Sequence, residues 1–361
     1  MKEYDGKAKG KKEGVEIGMN DMIENELRKK HKNLYPLSSE HIQLSSNIKF
    51  FEKDGKIEIL LKEDAIGRGE KNNNMQEDSA AFEGWAVILK RYLEKDIKLG
   101  FAVPLNLEDL KGEFEGNGHF NRFLYRALRF REQYEWFSLS EDLETIIFAE
   151  DGFCDWLKEN GESFVNNVPL QDNKESNNDK ISENWVERML AGKESILHDV
   201  IENENSEGNE IFRQLPVGLF SNTVKRENEV FAKGSAAVDL WTWAGDKLYA
   251  FELKYRNKKV GIIAELFFYA NYLYDLLIEK NFTLNEKNTK KRGYHNLLKN
   301  KFKEICACML VDEIHPLIDE KVLEILNRNF LSLGITLLFH IHKGIIGCRQ
   351  ALDFLAFRYF L

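Results

Sequence analysis

The sequence predicts a mixed α/β protein in which a sheet in the second half of the chain is covered by helices on both faces. Two observations lead to this fold class. Of the 361 residues, 43% are hydrophobic and 31% are charged, which is typical of a globular chain and not of a disordered or fibrous one. After residue 180, stretches with apolar residues every three to four positions alternate with buried-strand patterns, as in sheets flanked by helices.

The first half of the chain predicts a separate α+β domain at 41–170. Residues 1–40 are rich in Lys, Glu and Gly at first and predict a loose tail followed by a short helix. A β-hairpin is expected at Asp54-Gly55, because this turn dipeptide lies between two apolar runs. The polar stretch QDNKESNNDK at 171–180 predicts a linker. A chain of this length exceeds a typical single domain, so we expect two domains.

The second half, 181–361, predicts an α-β-β-β-α-β-α-β order. Its long helix is indicated by apolar residues that recur every three to four positions, and the helix after it is opened by Pro316. The expected elements are a helix at 181–203, a strand at 210–220, a hairpin at 236–255, a helix at 260–280, a strand at 303–313, a helix at 315–330 and a strand at 335–342.

Composition indicates a cytoplasmic protein with no membrane partner. No apolar run approaches the roughly 20 residues that span a bilayer, and the N-terminus lacks the apolar segment of a secretory signal. The four cysteines are too few and too unevenly placed for a disulfide framework. A formal net charge of −9 argues against coating nucleic acid through bulk positive charge, but it leaves room for a local basic channel.

Three ionisable residues lie within the apolar hairpin AAVDLWTWAGDKLYAFELK at 236–254. If Gly245-Asp246 is a two-residue type II′ loop, counting outward places Asp239 directly opposite Glu252. Lys254 points to the same face, because the side-chain period of a strand is two. Two facing carboxylates destabilise a hairpin unless a cation lies between them.

Two interpretations of this cluster stay open on the residues alone. One is a divalent-metal site, since magnesium takes oxygen ligands, keeps several waters and bridges carboxylates to phosphates. The other is a surface salt-bridge ladder in which Lys254 neutralises Glu252. The half-dry setting and the nearby lysine favour the metal site.

The hairpin also resembles the signature of the PD-(D/E)xK nuclease superfamily, which has the restriction-endonuclease-like fold. The resembling residues are Val238-Asp239, then twelve residues, then Glu252-Leu253-Lys254, within a matching αβββαβ order at about 181–345. Valine stands where the motif's name has proline. The resemblance implies a restriction-endonuclease-like core, with a mixed sheet flanked by helices. It also implies a Mg²⁺- or Mn²⁺-dependent nuclease that acts on DNA in preference to RNA, in restriction, repair or phage defence.

The resemblance assigns a role to each residue of the signature. Asp239 and Glu252 would bind the metal ion, and the backbone carbonyl of Leu253 would be a further ligand. Lys254 would orient the attacking water or help to deprotonate it, and would stabilise charge on the scissile phosphate. Catalysis would then consist of positioning and electrostatics at a phosphodiester.

Further site members come from two predicted helices. In the superfamily, the helix before the first strand often supplies another acid. Glu187 and Glu194 are the candidates, and Glu194 lies closer to the predicted sheet. On the following helix, Glu265 and Tyr269 are four residues apart and share a face, where one RecB-like branch has Gln-x-x-x-Tyr. The alternative for each is an ordinary helix-face or core residue.

Basic residues that flank the proposed site are candidates for binding nucleic acid. An arginine stripe at i, i+4 and i+7, formed by Arg122, Arg126 and Arg129, either tracks phosphates or is a solvated helix face. The five flanking candidates are Arg256, Lys258, Lys259, Lys291 and Arg292.

Two other functions remain open, a non-catalytic nucleic-acid-binding module and a protein-interaction module on the same fold. A homodimer is also open, because two-site cleavage usually needs one and the sequence shows no feature that decides it. Cys306 and Cys308 could meet His340 and His342 at a zinc ion if their strands are adjacent. Buried core residues are the favoured interpretation of all four.

Overall fold

The protein is a mixed α/β molecule whose strands form three sheets. Its structure is a computed structural model, in which residues 10–19 and 336–341 are described by their backbone alone. The described residues are 10–39, 42–62, 75, 77, 80–103, 114–169, 182–195, 197, 198, 201, 210–231, 236–287, 290–330 and 334–341. The predicted linker at 171–180 lies outside them, and the division into two domains stays a prediction.

The first half of the chain builds a four-stranded sheet. Its strands, in sheet order, are β1 (Ile48–Lys53), β2 (Lys56–Leu61), β3 (Asp96–Phe101) and β4 (Phe137–Leu139). The first pair is antiparallel and the other neighbours are parallel. Asp54 and Gly55 have φ angles of 51° and 77°, the left-handed pair of a type I′ turn, so the hairpin prediction is confirmed. The helices of this half are α1 (Gly10–Leu34), α2 (Phe82–Leu93), α3 (Gly118–Gln133), α4 (Glu141–Phe148) and α5 (Phe153–Asn160).

Helix α1 has 25 residues, so the prediction of a short helix was wrong, while the start of the predicted tail at 1–9 lies outside the described residues. Lys and Glu are good helix formers, and the helix is held by tertiary contacts that its composition does not reveal. The Asn20 side chain accepts from the N–H of Phe50 at 2.7 Å and donates to the carbonyl of Ile48 at 3.1 Å. Ile23 and Leu27 are buried in the core.

The second half builds a five-stranded mixed sheet flanked by helices, as predicted. Strands β6 (Phe212–Pro216), β9 (Ala237–Ala244) and β10 (Lys247–Lys254) are antiparallel neighbours, and β11 (Glu304–Val311) and β12 (Ile335–Ile341) continue the sheet in parallel. The sheet order is β12-β11-β10-β9-β6. The accompanying helices are α6 (Glu183–Leu190), α7 (Gly261–Leu277), α8 (His295–Lys299) and α9 (Glu320–Phe330).

The strand predicted at 210–220 is in fact two strands in different sheets. Pro216 ends β6, and proline cannot donate to a sheet ladder. The chain then enters β7 (Leu219–Ser221), which lies between β5 (Phe164–Asn166) and β8 (Glu229–Phe231) in a three-stranded sheet. Asn167 holds this crossing point, because it bonds to both the N–H and the carbonyl of Gly218 at 2.8 and 2.9 Å.

Two predicted helices are shorter than expected. The helix predicted at 181–203 ends at Leu190, because Gly192 adopts φ 105° and pairs with Ile211 as a β-bridge. The last helix starts at Glu320 instead of at Pro316. Asp319 precedes it and accepts from the Val322 N–H at 3.0 Å, as an N-cap residue does.

One hydrophobic core contains side chains from both halves of the chain. Phe130 of α3 lies 5.2 Å from Phe267 of α7, measured between ring centroids. Helix α2 packs so closely on the start of α7 that a Cβ atom at Gly84 would lie 2.4 Å from Val260 Cγ1 and 2.8 Å from the Val260 carbonyl oxygen. The first half is therefore seated directly against α7.

A smaller core covers the other face of the five-stranded sheet. It contains Val186 and Leu190 of α6 with Leu240 and Phe251 of the hairpin. Cys306 and Cys308 are buried in this core, as the favoured interpretation predicted, while the His340 side chain and His342 lie outside the described residues. None of the helices in the described part of the chain has the length and apolar character to cross a bilayer.

Candidate active site

The hairpin has the register that was counted from its turn. Gly245 has φ 60°, as the first central residue of a type II′ turn requires. The pairing runs from Lys247↔Ala244 to Phe251↔Leu240, and Asp239 and Glu252 are the next residues on the two strands. The Asp239 carboxylate accepts from the backbone N–H of Leu253 at 2.8 Å. The two acids therefore share one face of the hairpin.

Lys254 joins Glu252 to a third acid, Glu265 of α7. Its Nζ atom lies 2.7 Å from Glu252 Oε1 and 3.1 Å from Glu265 Oε2. The three residues are 6%, 4% and 0% exposed, in the order Lys254, Glu252 and Glu265. The salt bridge between Lys254 and Glu252 thus exists, but the idea of a surface ladder is wrong because the pair is buried.

Burial and mutual repulsion raise the pKa values of two acids in this cluster, Asp239 and Glu252. Burial, with a further contribution from Glu187 and Glu265, raises the pKa of Asp239 to about 7, against the opposing effects of Lys254 and the Leu253 N–H. The pKa of Glu252 is also raised, by burial first and by Asp239 next. A bound cation would lower the pKa values of both Asp239 and Glu252, because an opposite charge favours the ionised carboxylate.

Lys254 is a stable cation in this setting. Burial acts to lower its pKa, but Glu252, Glu265 and Asp239 together raise that pKa above its ordinary value. The ammonium group therefore stays charged at neutral pH. It can donate hydrogen bonds and stabilise negative charge, but it cannot take a proton from water while these three acids surround it.

Glu265 and Tyr269 reach the cluster from the same face of α7, as their spacing predicted. Tyr269 is 8% exposed. Its pKa is raised by burial and then by Glu252, Glu265 and Asp239, whereas Arg122 lowers it. Tyr269 therefore borders the acids and also belongs to the hydrophobic core.

The helix before the first strand contributes Glu187 and not Glu194. Glu187 is buried, accepts from Arg213 Nε at 3.0 Å and raises the pKa of Asp239. Glu194 is exposed. The preference for Glu194 assumed that the helix continues through it, but α6 ends at Leu190, so Glu194 lies in the turn that follows.

The flanking basic residues lie at or near the surface, and several of them hold partners in the protein. Lys258 lies 3.6 Å from Glu313, and Lys259 lies 2.8 Å from Glu77. Arg256 is exposed and its guanidinium lies 4.9 Å from the Tyr255 ring centroid. Arg292 donates to Gln214, and Lys291 is half-buried. Their role in binding nucleic acid stays a prediction.

The arginine stripe of α3 is not a solvated helix face. Arg126 donates to both carboxylate oxygens of Glu83, and Arg129 donates to both oxygens of Asp275. Arg122 is buried and borders the candidate site. The sequence pattern that could have pointed to it was the stripe itself, but only the packing of α3 on α7 shows which arginine faces the acids.

The side chains present fit a hard divalent cation. Asp239, Glu252 and the Leu253 carbonyl offer only oxygen donors, which Mg²⁺ prefers. Glu252 Oε2 is buried and has no hydrogen-bond partner among the described residues. Among the residues that the structure describes, no group of three or more His, Cys, Asp or Glu side chains is arranged to hold a metal ion.

No protein-family model matches the chain, and neither a curated protein nor a solved structure was found to match it. The resemblance to the PD-(D/E)xK superfamily therefore rests on the hairpin residues and on the order of helices and strands. What the structure establishes is the mixed sheet flanked by helices and the buried cluster of acids around Lys254.

Proposed function

We propose that the protein is a Mg²⁺-dependent nuclease of the PD-(D/E)xK type that hydrolyses phosphodiester bonds, in the first place those of DNA. The observation that carries the proposal is the cluster of half-buried Asp239 with buried Glu252 and Glu265 around the ammonium of Lys254. Three carboxylates against one ammonium leave an excess of negative charge in a site that excludes water. Such an arrangement is costly, and a divalent cation would compensate it.

The roles of the side chains follow from their geometry. Asp239 and Glu252 would bind the ion. Glu252 would do so through Oε2, which has no hydrogen-bond partner among the described residues, because Oε1 accepts from Lys254. When bound, the metal ion would lower the pKa of its water and neutralise charge on the phosphate. Lys254 would stabilise negative charge on the phosphate oxygens. Because it stays protonated, it acts as an electrostatic group and not as the base.

Glu265 has a positioning role in this proposal. Its carboxylate lies 3.1 Å from the Lys254 ammonium. Together with the Glu252 carboxylate, it fixes the position of that ammonium. A cytoplasmic location and a task in restriction, repair or phage defence belong to the same proposal, since intracellular DNA is the substrate it names.

The proposal is tested with the full chain, plasmid DNA and labelled RNA, each with Mg²⁺, Mn²⁺ or EDTA. We expect cleavage of DNA by the wild type only when a divalent ion is present. Glu252→Gln removes one ligand charge and should abolish cleavage, whereas Lys254→Met should lower the rate by about 10²- to 10³-fold, as the loss of one preorganised electrostatic group does.

The matched control is Glu304→Gln. Glu304 lies at the start of the neighbouring strand β11 and pairs with Lys247 at the surface, so this variant should cleave like the wild type. Equal cleavage by the wild type, Glu252→Gln and Lys254→Met would place the activity elsewhere, and a wild type that cleaves neither nucleic acid would refute the proposal.

A further inference from the structure

Arg122 is a buried cation that the first half of the chain presents to α7. It lies in α3 and is 7% exposed. Its guanidinium lies 5.8 Å from the ring centroid of Phe268, and its Nη2 atom lies 3.2 Å from His119 Nδ1. A buried guanidinium over an aromatic ring has lost most of its hydration, so it interacts strongly with an anion.

Through Phe268, Arg122 packs on the part of α7 that carries Glu265 and Tyr269. Phe268 is the neighbour of Tyr269 in α7 and lies one helical turn from Glu265. Burial and then Arg126 lower the pKa of Arg122 to about 10, while Tyr269 and Glu265 oppose that change. Arg122 therefore interacts electrostatically with Tyr269 and Glu265, the two α7 residues of the candidate site.

The other two arginines of the stripe have a different role. Arg126 is bound to Glu83 and to the carbonyl of Ala80, and Arg129 is bound to Asp275 at 2.6 Å. These bidentate ion pairs join elements of the protein to one another. Of the three stripe residues, Arg122 is the one whose surroundings include the candidate active site.

We propose that Arg122 binds a phosphate group of the nucleic acid at this site, so that the first half of the chain supplies a substrate-binding residue. A planar guanidinium forms paired hydrogen bonds with phosphate oxygens. A phosphodiester that approaches three carboxylates needs positive charge beyond the bound ion, and Lys254 is already shared between Glu252 and Glu265. The inference rests on the proposed nuclease function.

The test measures binding without cleavage. The full chain with Asp239→Asn and Glu252→Gln serves as the parent, because neutral amides permit phosphate binding without a metal ion. Its affinity for a short fluorescein-labelled DNA duplex is measured by fluorescence anisotropy at several salt concentrations. Each lost phosphate contact lowers the steepness of log K against log [salt] by about 0.9, so Arg122→Met should reduce that slope by about 0.9 and weaken binding about tenfold.

Arg131→Met is the matched control. Arg131 has the same charge, lies in the last turn of α3 and is half-exposed at 3.4 Å from Glu144, so its loss should leave the slope unchanged. If circular dichroism shows that Arg122→Met is unfolded, Arg122→Gln, which keeps hydrogen-bond donors, replaces it and the same slope decides.

The outcomes separate the two proposals. A folded Arg122 variant with the parent's slope and affinity overturns this inference, even if the wild type cleaves DNA. A slope reduced by Arg131→Met as much as by Arg122→Met also overturns it, because the effect would then be one of overall charge. A wild type that neither cleaves nor binds nucleic acid refutes the proposed function, and this inference with it.

Discussion

Replacing Lys254 with methionine should destabilise the metal-free protein strongly, and more so at high pH. The ammonium lies 2.7 Å from Glu252 and 3.1 Å from Glu265, and all three side chains are buried. Methionine keeps an unbranched apolar stem and removes only the charge and its hydrogen bonds. The two carboxylates are then left in the protein interior without their cation.

The magnitude follows from the geometry of the two contacts. Removing one partner of a buried ion pair costs about 3–5 kcal/mol of unfolding free energy, because the remaining charge is uncompensated. The acids can reduce that cost by taking up protons. Their folded pKa values then lie above the unfolded ones, so the relief is present at low pH and is lost as pH rises through the folded pKa. The cost should shrink by about 1.4 kcal/mol for each unit of pH over which one carboxylate becomes protonated.

The assay is urea unfolding in EDTA at pH 5 and pH 8, with Lys247→Met as the control. Lys247 lies at the other end of the same strand and pairs with Glu304 at 2.8 Å at the surface, so its loss should change stability by about 0–1 kcal/mol at either pH. Equal losses for the two variants, or a loss for Lys254→Met that does not depend on pH, would contradict the description of a buried charge cluster.

Two further predictions concern the pKa of Asp239 and the packing of α2 on the start of α7. The pKa of Asp239 is raised to about 7, so the metal-free protein should lose stability as pH rises from about 4 to about 7. Asp239→Asn should reduce that loss, and Glu252, whose pKa is also raised, should account for the rest. Urea midpoints that fall equally in both proteins would exclude Asp239 as a cause. Alanine is favoured over glycine in a helix by about 0.5–1 kcal/mol, but Gly84→Ala would push a Cβ atom to 2.4 Å from Val260 Cγ1 and 2.8 Å from its carbonyl, so we expect a net loss of about 1–3 kcal/mol. A Gly84→Ala protein that is more stable than the wild type in the same urea assay would contradict the close packing of α2 on Val260.

The hairpin was predictable because its information is local. Gly245-Asp246 specifies the turn, and a turn sets the register for every residue that follows on both strands. The sequence of the turn and its two flanking strands was therefore enough to predict that Asp239 and Glu252 lie on the same face of the hairpin. The same holds for the hairpin at Asp54-Gly55, where both residues take the left-handed angles that their types favour.

The remaining site residues depend on tertiary packing. Glu187 rather than Glu194 reaches the site because Gly192 turns the chain into a bridge with Ile211, and a glycine near the end of a periodic stretch signals this only weakly. Arg122 reaches the site because α3 packs on α7. The stripe of arginines predicted charge on a helix face, but the direction of that face is set by contacts between segments more than a hundred residues apart in the chain.

The split of the expected strand at 210–220 has a similar cause. Pro216 marks the end of β6 in the sequence, but the continuation of the chain into another sheet depends on Asn167, which binds both backbone groups of Gly218. The length of α1 likewise depends on Asn20 and its bonds to the first strand. These hydrogen bonds, three of which join a side chain to the backbone and one of which joins two backbone groups, connect distant positions, and hydrophobic periodicity carries no information on them.

The central claim is that Asp239 and Glu252 form a divalent-cation site, and direct titration of the full chain with Mn²⁺ by calorimetry at pH 8 tests it without reference to any substrate. We predict one site in the wild type and in Glu304→Gln, and no site in Asp239→Asn or Glu252→Gln. Unchanged binding in those two variants, or no binding by the wild type, would contradict the claim. The acids around Lys254 would then be a buried salt-bridge cluster that serves the fold alone.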